Sequence, residues 1–399
     1  MTEDAARPLG DPFDRYSEYI KLYGQNLKSV EADVSDAMAI DAQGNLYVAS
    51  HAHADVDLRE YAPNGSLIYA SLIRSCGDGF LAVTGLAIDN AGRAWIAGNT
   101  SACLSTTSKP IHSDVDGRNH LRGFVMLVDM KKPSSAPPLY VTYLSEVDSQ
   151  IASIRVDRQG NAYLTGTTAS LEFAHQITLN VGERSTQVRG TRISFVSVLN
   201  PSGSGLLWSA LLQGAQLTSL ALDGQGNVYV TGRAASRHSP SGPTAQNCGA
   251  EAKVATACDD VLVAELSDSG SRLSYLAQFG GSADEEGRAI SADPQSGWIF
   301  IAADTDSPDL ALSSATNTSQ RDVLRSFAVG LQPCETGMWY ARQLAGVDNH
   351  VAPGMALMPA LDAFTSALSK VFNSLKPEDV MQRPIASVLI APACSSTVP

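Results

Sequence analysis

The stretch Ser219–Gly232, SLALDGQGNVYVTG, decides the fold. An apolar run, Leu220-Ala221-Leu222, reaches Asp223; Gly224-Gln225-Gly226 follows, and a second run, Val228-Tyr229-Val230, leads away. An aspartate in that position accepts hydrogen bonds from the backbone two residues on, and glycine supplies the positive φ of a short hairpin connection. The stretch therefore predicts a tight β-hairpin. Its strands are β-branched and aromatic with few polar interruptions, which predicts a sheet covered on both faces.

The same hairpin returns along the chain as MAIDAQGNLYVAS from Met38, GLAIDNAGRAWIAG from Gly85 and SIRVDRQGNAYLTG from Ser153, with a looser copy, AISADPQSGWIFIA, from Ala289. Asp41, Asp89, Asp157, Asp223 and Asp293 are thereby read as structural turn residues, not as metal ligands. Each hairpin is followed by a variable connector and two more strands around an Asn, Pro or Ser-Gly turn. Examples are FVMLVDMKKP from Phe124 with LYVTYL from Leu139, and VLVAELSDSG from Val261 with LSYLAQF from Leu273. From Asp89 onward the turn aspartates recur about every 66 to 70 residues; the first unit is shorter, near 48. A four-stranded unit at near-constant period predicts a β-propeller.

Five units are clear. A sixth is read from Met355–Leu368, MALMPALDAFTSAL, although Leu361, Phe364, Leu368 and Phe372 also recur at helical spacing. Ile385–Ile390 reads as its third strand and Arg15–Leu22, RYSEYIKL, as its fourth. The expectation is an all-β, six-bladed propeller of four-stranded blades, its ring closed by the N-terminal strand in the C-terminal blade. Residues 15–393 form the single domain, between tails at 1–14 and 394–399.

Composition bounds the partners. The chain has 399 residues, 44% hydrophobic and 17% charged, with 32 Gly, which describes a foldable globular protein. A net charge of -13 argues against nucleic acid, whose phosphates need basic clusters. No run approaches the length of a membrane span, so no membrane insertion is expected. Met1–Asp14 has neither the basic start nor the apolar core of a signal peptide.

LDGQGNVYVTG (Leu222–Gly232), VDRQGNAYLTGTTAS (Val156–Ser170), FVSVLNPSGSGLLWSALL (Phe195–Leu212) and the junction LAQFGGSADEEGRAISAD (Leu276–Asp293) together resemble the SBBP-type β-propeller repeats of bacterial proteins. The resemblance covers nearly the whole chain from Arg15. It implies the propeller fold and an extracellular or cell-surface setting, and no particular reaction. The short first unit and the degenerate sixth depart from the pattern.

Six cysteines, Cys76, Cys103, Cys248, Cys258, Cys334 and Cys394, all fall in connectors or turns, and none forms a CxxC pair. An even count in loops favours disulfides and an oxidising compartment, six free thiols of a cytosolic protein being the alternative. Cys76 and Cys103 flank one hairpin on the same propeller face. Cys248 and Cys258 share a connector, which leaves Cys334 with Cys394 as the weakest pairing.

Two groups of residues invite a ligand. The junctions between units are acidic, with Asp33, Asp36, Asp78, Glu146, Asp148, Asp284, Glu285, Glu286 and Asp348. Of these, Asp36, Asp148, Asp284, Glu285 and Asp348 would form a cation site at the channel mouth, suited to Ca²⁺. The second group is His51, His53, Asp55 and Asp57, which share one face if the segment is extended and are ligand types for a transition metal. The remaining histidines are scattered and form no catalytic triad in order. Long connectors at 99–123, 167–191, 233–259 and 303–325, rich in Ser, Thr, Asn and Pro, are the other functional surface.

The expectation is a non-catalytic recognition or scaffold propeller, outside the cell or on its surface. It would bind protein or polysaccharide through its connector face as a monomer, without a cofactor. The alternative is a metal-dependent (Ca-type) propeller hydrolase or lactonase with its site at the channel mouth.

Overall fold

A computed structural model of the chain describes residues 37–41, 43–107, 110–113, 121–145, 149–169, 176–181, 193–223, 225–236, 258–281, 283–292, 297–307, 325–331, 339–343 and 388–391. These residues build five sheets, each a set of four antiparallel strands in sequence order, with one short strand added to the third and one to the fourth. The first contains β1 (Ala37–Ile40), β2 (Leu46–Ala52), β3 (Asp55–Tyr61) and β4 (Leu67–Ile73). The second contains β5 (Leu81–Ile88), β6 (Arg93–Thr100), β7 (Arg122–Asp129) and β8 (Tyr140–Tyr143). The third has β9 (Ser149–Val156), β10 (Ala162–Thr168), β12 (Ile193–Leu199) and β13 (Leu206–Gln213), with β11 (Gln176–Asn180) added in parallel on the outside of β13. The fourth has β14 (Ala215–Leu222), β15 (Val228–Ala235), β16 (Asp259–Leu266) and β17 (Leu273–Phe279). The fifth has β18 (Glu285–Ala292), β19 (Ile299–Thr305), β20 (Arg325–Leu331) and β21 (Trp339–Gln343).

The first strands lie side by side in chain order: β1 meets β5, β5 meets β9, β9 meets β14, and β14 meets β18. Sheets that touch in sequence through their first strands have the arrangement of propeller blades. Between each adjacent pair lies a separate apolar core, because alternate residues of every strand point to opposite neighbours. In β6, Ala94 and Ile96 join the core shared with the first sheet, while Trp95 and Ala97 join the core shared with the third. In β7, Phe124, Met126 and Val128 face one way and Val125 and Leu127 the other. Such strands read as near-continuous apolar runs because both faces are covered.

The recurrent aspartate knots each first hairpin. Asp41 Oδ1 accepts the backbone N–H groups of Gln43 and Asn45, both at 2.9 Å. Its Oδ2 accepts Asn45 Nδ2 and the Tyr47 hydroxyl, also at 2.9 Å. Asp157 and Asp223 use Asn161 and Asn227 in the same way, and at Asp89 an arginine and a tryptophan take these places: Arg93 Nε donates at 2.6 Å and Trp95 Nε1 at 3.4 Å. Burial alone would push the Asp41 carboxyl up; the hydrogen bonds from Asn45, Tyr47 and Gln43 outweigh it and hold the group below its ordinary value. The turn glycine three residues after each of these aspartates has positive φ, from 75° at Gly92 to 94° at Gly226.

A second constraint lies at the far end of each hairpin. The first strand bulges between Val83 and Gly85, beside Gln150–Ala152, and between Leu217 and Ser219. Each bulge drives a carbonyl toward the partner strand, where Gly98, Gly166 and Gly232 sit. A Cβ at those glycines would land on the oxygens of Ala82, Gln150 and Gln216 respectively.

Three features depart from the sequence reading. The connector 167–191, expected as a loop, contributes β11, which covers the exposed edge of β13. The C-terminal Val388–Ala391 (β22) runs antiparallel on the outside of β17 in the fourth sheet, not as the third strand of a sixth blade. In both cases an outer edge with unpaired backbone groups captures a short strand that has no strong pattern of its own. The third departure is the segment from His51 to Asp57, which turns at His53–Ala54 and is not extended; Ala52 pairs with Asp55 across that turn. The sixth-unit residues Met355–Leu375 and the strand Arg15–Leu22 lie outside the described residues.

Replacing Gly166 or Gly232 by alanine is expected to destabilise the fold by about 2–4 kcal/mol, since the obstacle is backbone and cannot rotate away. Chemical denaturation of the two variants checks this; a midpoint equal to that of the wild type would refute the steric account.

Candidate functional site

Neighbouring antiparallel strands bring the start of a third strand, the end of a fourth and the start of the next first strand to one end of the sheets. At the junction of the fourth and fifth sheets this end holds Asp259 and Asp260 from β16, Gly280 and Gly281 after β17, Asp284 and Glu285 at the start of β18, and Thr305 to Ser307 at the end of β19 and beyond it. Glu285 is 1% exposed and Asp260 fully buried. Glu285 Oε1 accepts the Thr305 hydroxyl at 2.5 Å and its Oε2 accepts Gly281 N–H at 2.8 Å. Ser307 also hydrogen-bonds to Glu285, and its Oγ accepts Ala283 N–H at 2.7 Å.

Asp260 converges on the same point. A Cβ at Gly280 would collide with both Asp260 Oδ1 and Glu285 Oε2, so the two carboxylates meet at the space that the missing side chain leaves. Burial pushes the Glu285 carboxyl up to about 7, against the hydrogen bonds from Ser307, Thr305 and Gly281, and the Asp260 charge adds to the rise. Gln278, two residues before Gly280, is 3% exposed, and its amide makes no hydrogen bond among the described residues.

Asp284 stands beside this pair and serves the backbone: its Oδ1 accepts Asp259 N–H at 2.9 Å, and its carbonyl accepts Asp306 N–H at 3.2 Å. Burial, then the Asp284 charge, raises the Asp306 carboxyl. Glu286 and Asp304 share Arg288, at 2.9 and 2.8 Å. The acidic junction is thus knitted into the seam between two sheets. Of the expected channel-mouth set, Asp284 and Glu285 are adjacent here, while Asp36, Asp148 and Asp348 lie outside the described residues.

The histidine segment is divided by its turn. His51 pairs with Val56 and Ser50 with Asp57, and His53 occupies the turn with φ 60°. Alternation puts His51 on the face of Val56 and Leu58 and Asp57 on the opposite one. Asp55 accepts Ser75 N–H at 2.8 Å and lies 3.7 Å from Arg74; Asp57 pairs with Arg59 at 2.7 Å. Among the described residues, no group of three or more His, Cys, Asp or Glu side chains is placed to hold a metal.

Cys76 and Cys103 form a disulfide with Cα atoms 5.1 Å apart, and Cys76 N–H donates to the Cys103 carbonyl at 2.9 Å. Cys258 is also disulfide-bonded; Cys248, Cys334 and Cys394 lie outside the described residues. Sequence reasoning missed Asp260, Gly280, Thr305 and Ser307. The charge before the apolar run VLVAEL was a weak signal, since the register-equivalent residues of the second and third units are Arg122 and Ile193 and only one of these lacks a charge.

The described sheets define an all-β, propeller-like protein. No family model matches the chain, and no curated protein matches it. Among solved structures, a variant of Synechocystis apocarotenoid oxygenase is similar at 13% identity over 82% of this chain and 65% of that chain, with a TM-score of 0.43. The Dos1 propeller aligns at 8% identity over 75% of this chain and 67% of that one, TM-score 0.39. A chain of a nidogen/laminin complex aligns at 11% identity over 77% and 82%, TM-score 0.35. The chain spans just under two thirds of the length of the oxygenase. No helix among the described residues is long and apolar enough to cross a membrane.

Glu285 binds its proton more tightly in the folded chain than its ordinary 4.5 allows. Its contribution to stability is therefore complete below about pH 4.5 and lost as pH rises through about 7, a total of about 3 kcal/mol. Glu285→Gln should flatten this part of the pH–stability curve measured by denaturation between pH 4 and 8. A variant curve parallel to that of the wild type would rule the assignment out.

Proposed function

We propose that the chain is a non-catalytic recognition or scaffold propeller that binds protein or polysaccharide through its connector face. The observation that carries this reading is the use made of the described ligand-type side chains. Asp55, Asp57, Asp284 and Glu285 each spend their oxygens on a backbone amide, a hydroxyl or an arginine within the scaffold. Carboxylates engaged in this way, and buried at Glu285, present no open position to a substrate. The connectors remain as the surface free to vary, in keeping with the likeness to SBBP-type repeats.

The same reading places the protein outside the cell or on its surface. Supporting it are the Cys76–Cys103 disulfide and the bonded Cys258, since such crosslinks persist in oxidising compartments. A sixth blade, drawing on Met355–Leu375 and on Arg15–Leu22, would complete the ring. What supports closure is the unbroken series of first-strand contacts and the apolar Met38, Ile40 and Val48 on the face of the first sheet turned away from the second.

Purified protein is expected to carry no stoichiometric metal by mass spectrometry, to melt at the same temperature with Ca²⁺ or with EDTA, and to retain ligands on a glycan or protein array. One tightly held Ca²⁺, with hydrolysis of a lactone panel abolished by its removal, would overturn the proposal in favour of a metal-dependent hydrolase. Reduction tests the compartment argument. Opening the 27-residue crosslink should cost about 3–4 kcal/mol, or roughly 4 °C of melting temperature for a chain of this size. An unchanged melting temperature in dithiothreitol would remove the structural role of the bond.

A further inference from the structure

In three sheets the outer strand carries an additional backbone partner at one equivalent window. In the second sheet, Val141 O accepts Thr107 N–H at 3.2 Å and Tyr143 N–H donates to His112 O at 3.2 Å. In the third, β11 pairs with Ser209–Gln213; in the fourth, β22 pairs with Leu276–Phe279. Register against the third strands aligns these windows with Ala70–Ile73 of β4. Each of β4, β13 and β17 bulges just before the window, skipping Ile68, Leu207 and Ser274. The outer edge is therefore built to accept a strand only beyond the bulge.

In the first sheet that window has no outer partner among the described residues, and the reason is legible in the chain. The connector between β2 and β3 is the two-residue turn His53–Ala54, whereas the second and third sheets cover their edges with residues from the long connector at this position. The missing connector also accounts for the short spacing of the first unit. β4 is left with Leu72 46% exposed, Ile68 54% exposed and Ala70 exposed, and with no charged residue from Leu67 to Ile73. An apolar, uncharged open edge is what natural sheets avoid unless something pairs with it.

We propose that this edge is a dimerisation site, filled by β4 of a second copy of the chain. The equivalent positions Val141 and Tyr143 aim their backbone groups outward, which assigns the outward groups of β4 to Ala70 and Leu72. Two antiparallel copies centred on Ser71 then set Ala70 opposite Leu72 of the partner twice, both as hydrogen-bonded pairs. Tyr69 falls opposite Ile73, so no charge faces another and the apolar surfaces of Ile68, Ala70 and Leu72 merge. The antiparallel sense is already used by β22 on β17. The proposed assembly is a two-fold dimer through the first blade, where the sequence reading expected a monomer.

Sedimentation of the full chain at up to about 100 μM should show a concentration-dependent species of twice the 42.0 kDa protomer. Ala70→Lys with Leu72→Lys places like charges opposite each other and should raise the dissociation constant at least tenfold. Ala70→Glu with Leu72→Lys places opposite charges across the axis in both pairs and should restore the dimer. Both sites are exposed in the protomer, so the melting temperature of dilute protein should be unchanged in either variant. A monomer throughout the range, a dimer indifferent to the paired lysines, or a dimer lost equally in both variants would each overturn the proposal.

Discussion

A four-stranded sheet with two apolar faces cannot exist alone in water, and this requirement organises the whole molecule. Trp95 and Ile96 are neighbours in one strand, both fully buried, yet each belongs to a different core. Removing the second, third or fourth sheet would expose half of two cores. Stability is therefore shared through nearest neighbours, as in other repeat architectures. The turn aspartates and the bulge-facing glycines are the local devices that let each hairpin present both faces at the correct pitch.

What could be read from the amino acids is what repeats. Asp41, Asp89, Asp157 and Asp223 carry their meaning in a fixed spacing to a glycine, a side-chain donor and an aromatic ring. The hairpin, the double-sided strands and the second turn follow from that. β11 and β22 were illegible because QITLN and VLIA are too short to carry a period, and an unpaired edge elsewhere decides their fate. The segment around His51 misled because its turn lacks glycine: His53 itself takes the positive φ.

The candidate site shows the same division. Acidity at the junction is visible in ADEEG, but the chemistry of a carboxylate depends on what surrounds it. Asp260 lies 25 residues before Glu285, and only the fold brings them to the same side of Gly280. Spacing suggests a solvated, cation-attracting rim; the fold buries Glu285 and Asp260 in a seam between two sheets, and that burial raises the Glu285 carboxyl. Glycine at 280 is the hidden determinant, since any side chain there would push the two carboxylates apart.

The disulfide between Cys76 and Cys103 has a mechanical meaning. It spans 27 residues and encloses β5 and β6, the first hairpin of the second sheet, in a covalent loop whose ends are 5.1 Å apart. When the chain is pulled from its two ends, tension passes across the sulfur bridge and bypasses the hairpin. About 90 Å of contour length stays out of reach of the force. The first hairpin of the second sheet is thus shielded from unravelling under load, while β7 and β8 outside the loop are not.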